Sequence, residues 1–479
     1  MHCERNILLL SNDAPNYHYF FNELARCFFK DGAKIAIAVD SKFSRCKNKL
    51  DETGFEVHEF SSYFVNHKTN VAILKRYAEY DLNGALLSDF ERAQVYGVWG
   101  LNVNVEYYDQ LKSALLSFFE EIFEQRNINM VLYENVSNTF AHYALFVAQN
   151  KGAVYCGVGG SRLPGRFSIT ADPLNDCAAA NAFKSIQNGT INVDLEVRSW
   201  ASEYIKNIEK IVPDYMKING LDQIGIFKKY VRLDRLRQIF YLLKHSFDNR
   251  TDAFQVGNPL LSYVNLFARN FKRRFKINRL KKMYMPTQAG EKFLLYPMHF
   301  HPESSTSILA GTYLDEYEVI RNIAFSLPEG YRLYVKDHIS AWGHPTIEFY
   351  SKIKQLPNVR LLAPDEPTKQ LIKESSGVIT LTSTVGYEAL LLKKRVYLFG
   401  RVFYEFHKGV KKIENPVALR GTIQKGAQQD IDWDDTYNND FVCAYYHATL
   451  PGSCDLMSKN MKAIQIANQL YIQIKNAIT

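Results

Sequence analysis

The stretch VITLTSTVGYEALLLKKRVYLF, residues 378–399, decides the fold. Val378 to Thr382 is a short apolar run. Ser383 or Thr384 then caps a helix over Val385 to Leu392, and Val396 to Phe399 resumes a strand. Strand, capped helix and strand, joined by loops of a few residues, make a βαβ unit. Working outward, the alternation repeats. Phe293–Pro297, Arg332–Lys336 and Val359–Leu362 read as strands; Leu314–Ser326, Thr346–Gln355 and Thr368–Ser375 read as helices. Five apolar strands alternating with helices predict a parallel sheet covered on both faces.

The first part of the chain opens the same way. Asn6 to Ser11 is an apolar strand, and Phe20, Phe21, Leu24, Ala25, Phe28 and Phe29 form a helical stripe. KIAIAVD (Lys34 to Asp40) is the next strand. A helix over 111–124, a strand over Met130–Glu134, a helix from Thr139 to Gln149 and a strand over Ala153–Val158 follow. Residues 175–285 are charged and helical in pattern, and Pro286 to Gly290 reads as a linker. The expected organisation is α/β: a Rossmann-like domain over 1–174, a helical insertion and linker over 175–289, a second Rossmann-like domain over 290–454, and a helix over 455–479 able to pack on either. The two domains are expected to face a central cleft.

Length and composition agree. A chain of 479 residues suits two domains, and 47% hydrophobic with 23% charged residues excludes extensive disorder. No run approaches the ~20 apolar residues that span a bilayer. Met1 to Asn6 and the short run Ile7 to Leu10 lack a signal-peptide pattern, so a cytoplasmic location is expected. Seven cysteines without a CxxC pair suit reduced thiols rather than disulfides or structural zinc. The formal charge of +8 is uneven: Arg269, Lys272, Arg273, Arg274, Lys276, Arg279, Lys281 and Lys282 fall together with no acid among them. Interleaved with Leu266, Phe267, Phe271, Phe275, Leu280 and Met283, they make a basic, amphipathic helix over 266–283. It can lie on an anionic membrane, meet a polyanionic glycan, or be a solvated face. No nucleic-acid module accompanies it.

In open α/β sheets, ligands bind beyond the carboxyl ends of the strands. MHFHPESST (Met298 to Thr306) places His301, Ser304 and Ser305 at one such end, where hydroxyls can receive phosphate oxygens and a His can act as acid or base. Lys336-Asp337-His338, followed by Trp342-Gly343-His344-Pro345, supplies groups to neutralise a phosphate leaving group. At Ser383-Thr384 a helix start offers free N–H groups to an anion, Gly386 lets a ligand approach the backbone, and Glu388 is placed for a ribose. In the first half, Glu134 ends a strand as a candidate base or nucleophile. Asp13 competes with it, Asp172 is more distant, and Arg162 beside the same edge suits an acidic sugar. A metal site is not supported, because His299 and His301 are two apart and a DxD pair is missing. No GxGxxG or GxxxxGK[ST] stands in a βα turn, which counts against dehydrogenases and P-loop kinases.

HPESS (His301 to Ser305), VKDH (Val335 to His338), Gly343-His344-Pro345 and STVGYEALL (Ser383 to Leu391), each at a strand end, resemble the bacterial capsular polysaccharide biosynthesis proteins, which include Kdo transferases using CMP-Kdo. The resemblance covers about 290–405, with a weaker echo at 130–170. It implies a GT-B fold, a donor nucleotide held by the C-terminal domain without a metal or other cofactor, and transfer of Kdo or a related acidic sugar to a glycan or glycolipid at the inner face of the inner membrane. More distantly the chain resembles bacterial sialyltransferases, whose His-Pro pair reads His338-Ile339 here. A UDP- or GDP-sugar transferase, a sugar-nucleotide epimerase and a noncatalytic glycan-binding subunit are the alternatives.

Overall fold

The computed structural model describes residues 5–96, 104–211, 240, 242–244 and 257–478. Two compact units emerge. One collects Met1–Pro173, Ile218–Ala268 and Leu450–Thr479; the other collects Leu174–Lys217 and Arg269–Thr449. Each carries its own sheet with a parallel core, so the expected α/β class is met unit by unit.

The first unit holds β1 (Asn6–Ser11), β2 (Lys34–Val39), β3 (Glu56–Glu59), β4 (Met130–Glu134), β5 (Val154–Gly160) and β6 (Arg166–Thr170). From β3 the order runs β3-β2-β1-β4-β5, all parallel, then β6 antiparallel to β5, and the two-residue strand Leu450–Pro451 antiparallel to β6. β1 and β4 are apolar and buried because helices cover both faces. Three features escaped the sequence reading. β3 is a short polar edge strand; β5 continues through Gly159 and Gly160, beyond the expected end at Val158; and β6 closes a hairpin on it. The helix Asn460–Ala477 packs on Tyr17–Lys30 of this unit. Phe28 meets Tyr471 edge-to-face, and the Tyr471 phenol donates to Asp31 (2.6 Å).

The second unit holds β7 (Lys292–Pro297), β8 (Tyr331–Lys336), β9 (Val359–Leu362), β10 (Gly377–Thr380), β11 (Val396–Leu398) and β12 (Val410–Lys412), in the order β12-β11-β10-β7-β8-β9, all parallel. The four helices expected between them are present, within two residues at each end, and the short helix Ser304–Leu309 joins them unforeseen. The edge strand β12, Val-Lys-Lys, is too short and polar to signal itself. Of the expected helical insertion, Ala178–Gln187 and Leu195–Lys206 are present and pack on Asp435–His447, where Arg198 pairs with Asp440 at 2.6 Å. Residues 212–239 and 245–256 of that insertion lie outside the described residues. Among those described, no helix is long and apolar enough to cross a membrane.

Candidate active site

In the first sheet the strand order reverses between β1 and β4, so the loops leaving their carboxyl ends part and open a crevice. The β1 loop is tied by its own side chains. Asn12 Oδ1 accepts from Ala14 N and from the Tyr133 phenol, both at 2.9 Å, and Asn48 Nδ2 donates to the Asn12 carbonyl at 2.8 Å. Asn16 takes a left-handed conformation, φ 69°, and turns the chain into Tyr17–Lys30. That places the Tyr17 phenol as a donor to Glu134, at the end of β4, while Ser137 Oγ donates to the same carboxylate at 2.6 Å. Burial pushes the Glu134 carboxyl up to about 7, against the opposing pull of Ser137, Tyr17 and the nearby Arg92. A half-buried carboxyl that changes charge near neutrality is what a general base requires.

The other first-unit candidates are disposed differently. Asp13 is ion-paired with Lys47, whose Nζ also donates to the Asp13 carbonyl at 3.0 Å. The structure thus corrects its standing as a rival to Glu134: it clasps the β1 loop to the helix Lys42–Lys47. Arg162 lies half-buried in the turn between β5 and β6, in this unit, whereas the other donor candidates belong to the second. Asp172 is half-buried just after β6. One carboxylate was missed. Asp40 follows β2 at the same sheet edge, accepts from Ser41 Oγ at 3.2 Å, and is pushed by burial up to about 7. Its signal was an Asp closing the apolar run KIAIAVD.

In the second sheet the order reverses between β7 and β10. His299, in the β7 loop, ties the two loops together. Its backbone N–H donates to Glu316 Oε1 at 2.7 Å and its Nδ1 lies 3.3 Å from the same oxygen. Its Nε2 lies 3.2 Å from Thr380 Oγ1 and accepts from Thr382 N at 3.4 Å. Its Nδ1 therefore faces Glu316 and its Nε2 faces the β10 loop. Burial works to raise the Glu316 carboxyl, yet hydrogen bonds and charge from His299 and His301 hold it below its usual value. His301 Nε2 stands 3.6 Å from Glu316 Oε2, across a cis peptide bond from Pro302. Neither Glu316 nor Thr380 was singled out in the sequence; a Glu opening a helix after a polar loop reads as an ordinary first-turn acid.

Ser304 opens the helix Ser304–Leu309, with its side chain outside the described residues, and Ser305 is half-buried beside it. At the β10 loop, Ser383 is the N-cap of Thr384–Leu391: its Oγ accepts from Val385 N at 3.1 Å, and its own N–H donates to Thr380 Oγ1 at 3.0 Å. Thr384 follows, half-buried. Gly386 was expected to admit a ligand. The structure corrects this, since a Cβ there would meet the Tyr404 phenol, which donates to the Ser383 carbonyl at 2.6 Å. The glycine makes room for a tyrosine that braces the loop. Glu388 is buried and lies 3.7 Å from Lys369 Nζ. Thr382 Oγ1, among the described residues, is buried without a hydrogen-bond partner, a polar group left over at this edge.

The Lys336–His338 step is also reshaped. Lys336 is buried with Nζ donating to the Pro364 carbonyl at 2.8 Å, and burial lowers its ammonium from the usual range. Burial, then the charges of His299 and Lys336, lowers His338 to about 4, so it is neutral at pH 7. Its Nδ1 accepts from Ser340 N at 3.2 Å, which leaves Nε2–H as a donor. Charge neutralisation by this pair, expected above, gives way to a neutral imidazole donor beside a committed lysine. Asp337 is buried against Tyr284 and Tyr350 and rises to about 6. The helix Pro259–Leu280 meets the next loop through Lys276, whose Nζ donates to the His344 and Pro345 carbonyls at 3.2 and 2.9 Å. Arg273 donates to Trp342 O and to His344 Nε2. Among the described residues, no three His, Cys, Asp or Glu side chains group as metal ligands.

Residues 254–427 match the family model for capsule polysaccharide biosynthesis proteins. No curated protein sequence matches the chain. Solved structures similar to it include the β-Kdo 2,7-transferase of Thermosulfurimonas dismutans KpsC (11% identity, 76% of this chain and 90% of that one, TM-score 0.33). A glycosyltransferase from Rickettsia africae is similar at 12% identity over 99% of both chains (TM-score 0.29). The UDP-GlcNAc 2-epimerase of Neisseria meningitidis bound to UDP-GlcNAc is similar at 12% identity over 98% of this chain and 100% of that one (TM-score 0.24). Likenesses at this level specify neither substrate nor chemistry.

Proposed function

We propose that the capsule polysaccharide biosynthesis domain carried by residues 254–427 is the donor half of a glycosyltransferase, one that transfers Kdo or a related acidic sugar from a CMP-activated donor to a glycan or glycolipid. The observation that carries this reading is a coincidence of place: the matched segment contains the whole β7/β10 switch point, where HPESS and STVGYEALL converge. In this reading the donor phosphate lies at the start of Thr384–Leu391. Ser304, Ser305, the Thr382 hydroxyl and His338 Nε2–H are hydrogen-bond donors around it, and Lys336 adds a nearby charge. These fixed donors stabilise the departing phosphate without a metal. Glu388, held by Lys369, takes the ribose hydroxyls, His301 is a proton donor at the phosphate, and Arg162 is the cation that pairs with the sugar carboxylate. Glu134 is the base or nucleophile on the sugar. A glycolipid acceptor places the reaction at the inner face of the inner membrane.

Thermal unfolding of the full chain with CMP, UDP, GDP and ADP tests the donor, because a ligand that binds only the folded state stabilises it with occupancy. CMP alone is expected to raise Tm. Transfer from CMP-Kdo to a glycolipid, insensitive to EDTA, is the activity expected next. A shift with UDP or GDP instead sinks the CMP-sugar reading while keeping a transferase or an epimerase, and no shift with any nucleotide points to a glycan-binding subunit.

A further inference from the structure

The helix Pro259–Leu280 has two unlike faces. On one, Leu280 is buried in the core of the second unit, Ile277 packs over Gly343, and Arg273 and Lys276 are spent on the carbonyls of Trp342, His344 and Pro345. On the other, Leu261, Val264, Phe267, Phe271 and Phe275 are 51, 52, 57, 52 and 70% exposed. At ~100° per residue these five side chains fall within an arc of about 120°. The exposed Arg274 borders that arc on one side, and the exposed Lys272 and Arg279 border it on the other. Between Arg269 and Lys282 the chain has eight cations and no acid. A solvated helical face has no reason to expose three phenylalanines in a row, two of them in edge-to-face contact with each other.

We propose that this face binds the surface of an anionic lipid bilayer, with the five apolar side chains inserted at the headgroup boundary and the bordering cations on lipid phosphates. The division of labour on the helix follows interfacial physics. Apolar area supplies insertion, while each cation near an anionic surface adds attraction that salt screens. The charge of the face selects the occupant: a neutral apolar partner leaves Lys272 and Arg279 unanswered, and an acidic soluble polymer leaves the phenylalanines in water. The inference stands on the helix alone and holds whether or not the chain transfers a sugar.

Co-sedimentation of the full chain with vesicles tests it. Binding is expected to vesicles of phosphatidylcholine mixed with phosphatidylglycerol, and to be about tenfold weaker with phosphatidylcholine alone or in high salt. The triple variant Phe267→Ser, Phe271→Ser, Phe275→Ser is expected to lose binding at least about tenfold with its thermal unfolding unchanged, because the replaced rings lie in solvent. Lys272→Glu with Arg279→Glu is expected to abolish the preference for anionic lipid. Equal vesicle binding by parent and triple variant overturns the proposal, as does no binding to anionic vesicles. A dimer seen by light scattering, dissolved by the triple variant and not displaced by vesicles, overturns it in favour of a second copy of the chain.

Discussion

The two switch points share a topology and differ in what they do with their polar side chains. At β1/β4, Glu134 is partly exposed, rises to about 7 and is held by two neutral hydroxyl donors. At β7/β10, nearly every titratable group is engaged: Glu316 by two histidines, His299 by Glu316 and Thr380, Lys336 by a carbonyl. One edge keeps a group that can change charge at neutral pH; the other uses its charges to fix loops. The lesson is that density of His, Lys and Glu in a loop does not mark where a proton moves. What marks it is a carboxyl left with few partners in a low-dielectric place.

The largest expected effect tests the poised edge. Glu134→Gln keeps the shape and the Tyr17 contact, and should lower kcat about 10³-fold while nucleotide-induced stabilisation is retained. Loss of nucleotide binding together with kcat would break the distinction between the two edges. The same carboxyl sets the pH behaviour. Raised from 4.5 to about 7, it favours the protonated form, so the stability it contributes is full below pH 4.5 and is lost as pH rises through 7. Turnover runs the opposite way: a base must be ionised, so kcat/KM should fall tenfold per pH unit below about 7. Urea unfolding and a pH–rate profile measure the two limbs.

Next comes the locked edge. Glu316→Ala leaves the His299 Nδ1 and backbone N–H buried without their partner, and should cost roughly 3–5 kcal/mol in urea unfolding. Because His299 ties both loops, CMP binding should weaken as well. A variant that unfolds like the parent shows that the histidine bracket does not hold the loops. Gly386→Ala forces a methyl against the Tyr404 phenol and should cost about 1–3 kcal/mol. Recovery on combining it with Tyr404→Leu would assign that cost to the steric contact. The smallest effect is Ser383→Ala, which removes one N-cap and should lower stability by about 1 kcal/mol, read as a small drop in Tm.

Much of the fold was legible because apolar strands buried on both faces leave unbroken runs such as Leu8 to Leu10 and Val378 to Leu381. Strands at sheet edges did not, since Glu56–Glu59 and Val410–Lys412 gain their pairing from neighbours rather than from an apolar face. The loops of the candidate site were legible as places, since strand ends could be located. The division of roles within them was not. That Lys336 turns to Pro364, or that Lys47 captures Asp13, depends on chain 28 and 34 residues away in sequence. Gly386 was read as the approach of a ligand, and the sequence could not say that the group crowding it is Tyr404.

The first unit is assembled from chain made before and after most of the second. Its edge strand Leu450–Pro451 and the helix Asn460–Ala477 that covers Tyr17–Lys30 emerge only after the second sheet is complete. At ~5–20 residues per second, a ribosome leaves the β1/β4 half waiting roughly 15–60 s for its last two elements. The Phe28 side chain and the β6 edge that those elements cover are open to water and to chaperones for that interval. Order of translation and order of completion are therefore reversed between these two units: the one begun earlier is finished later.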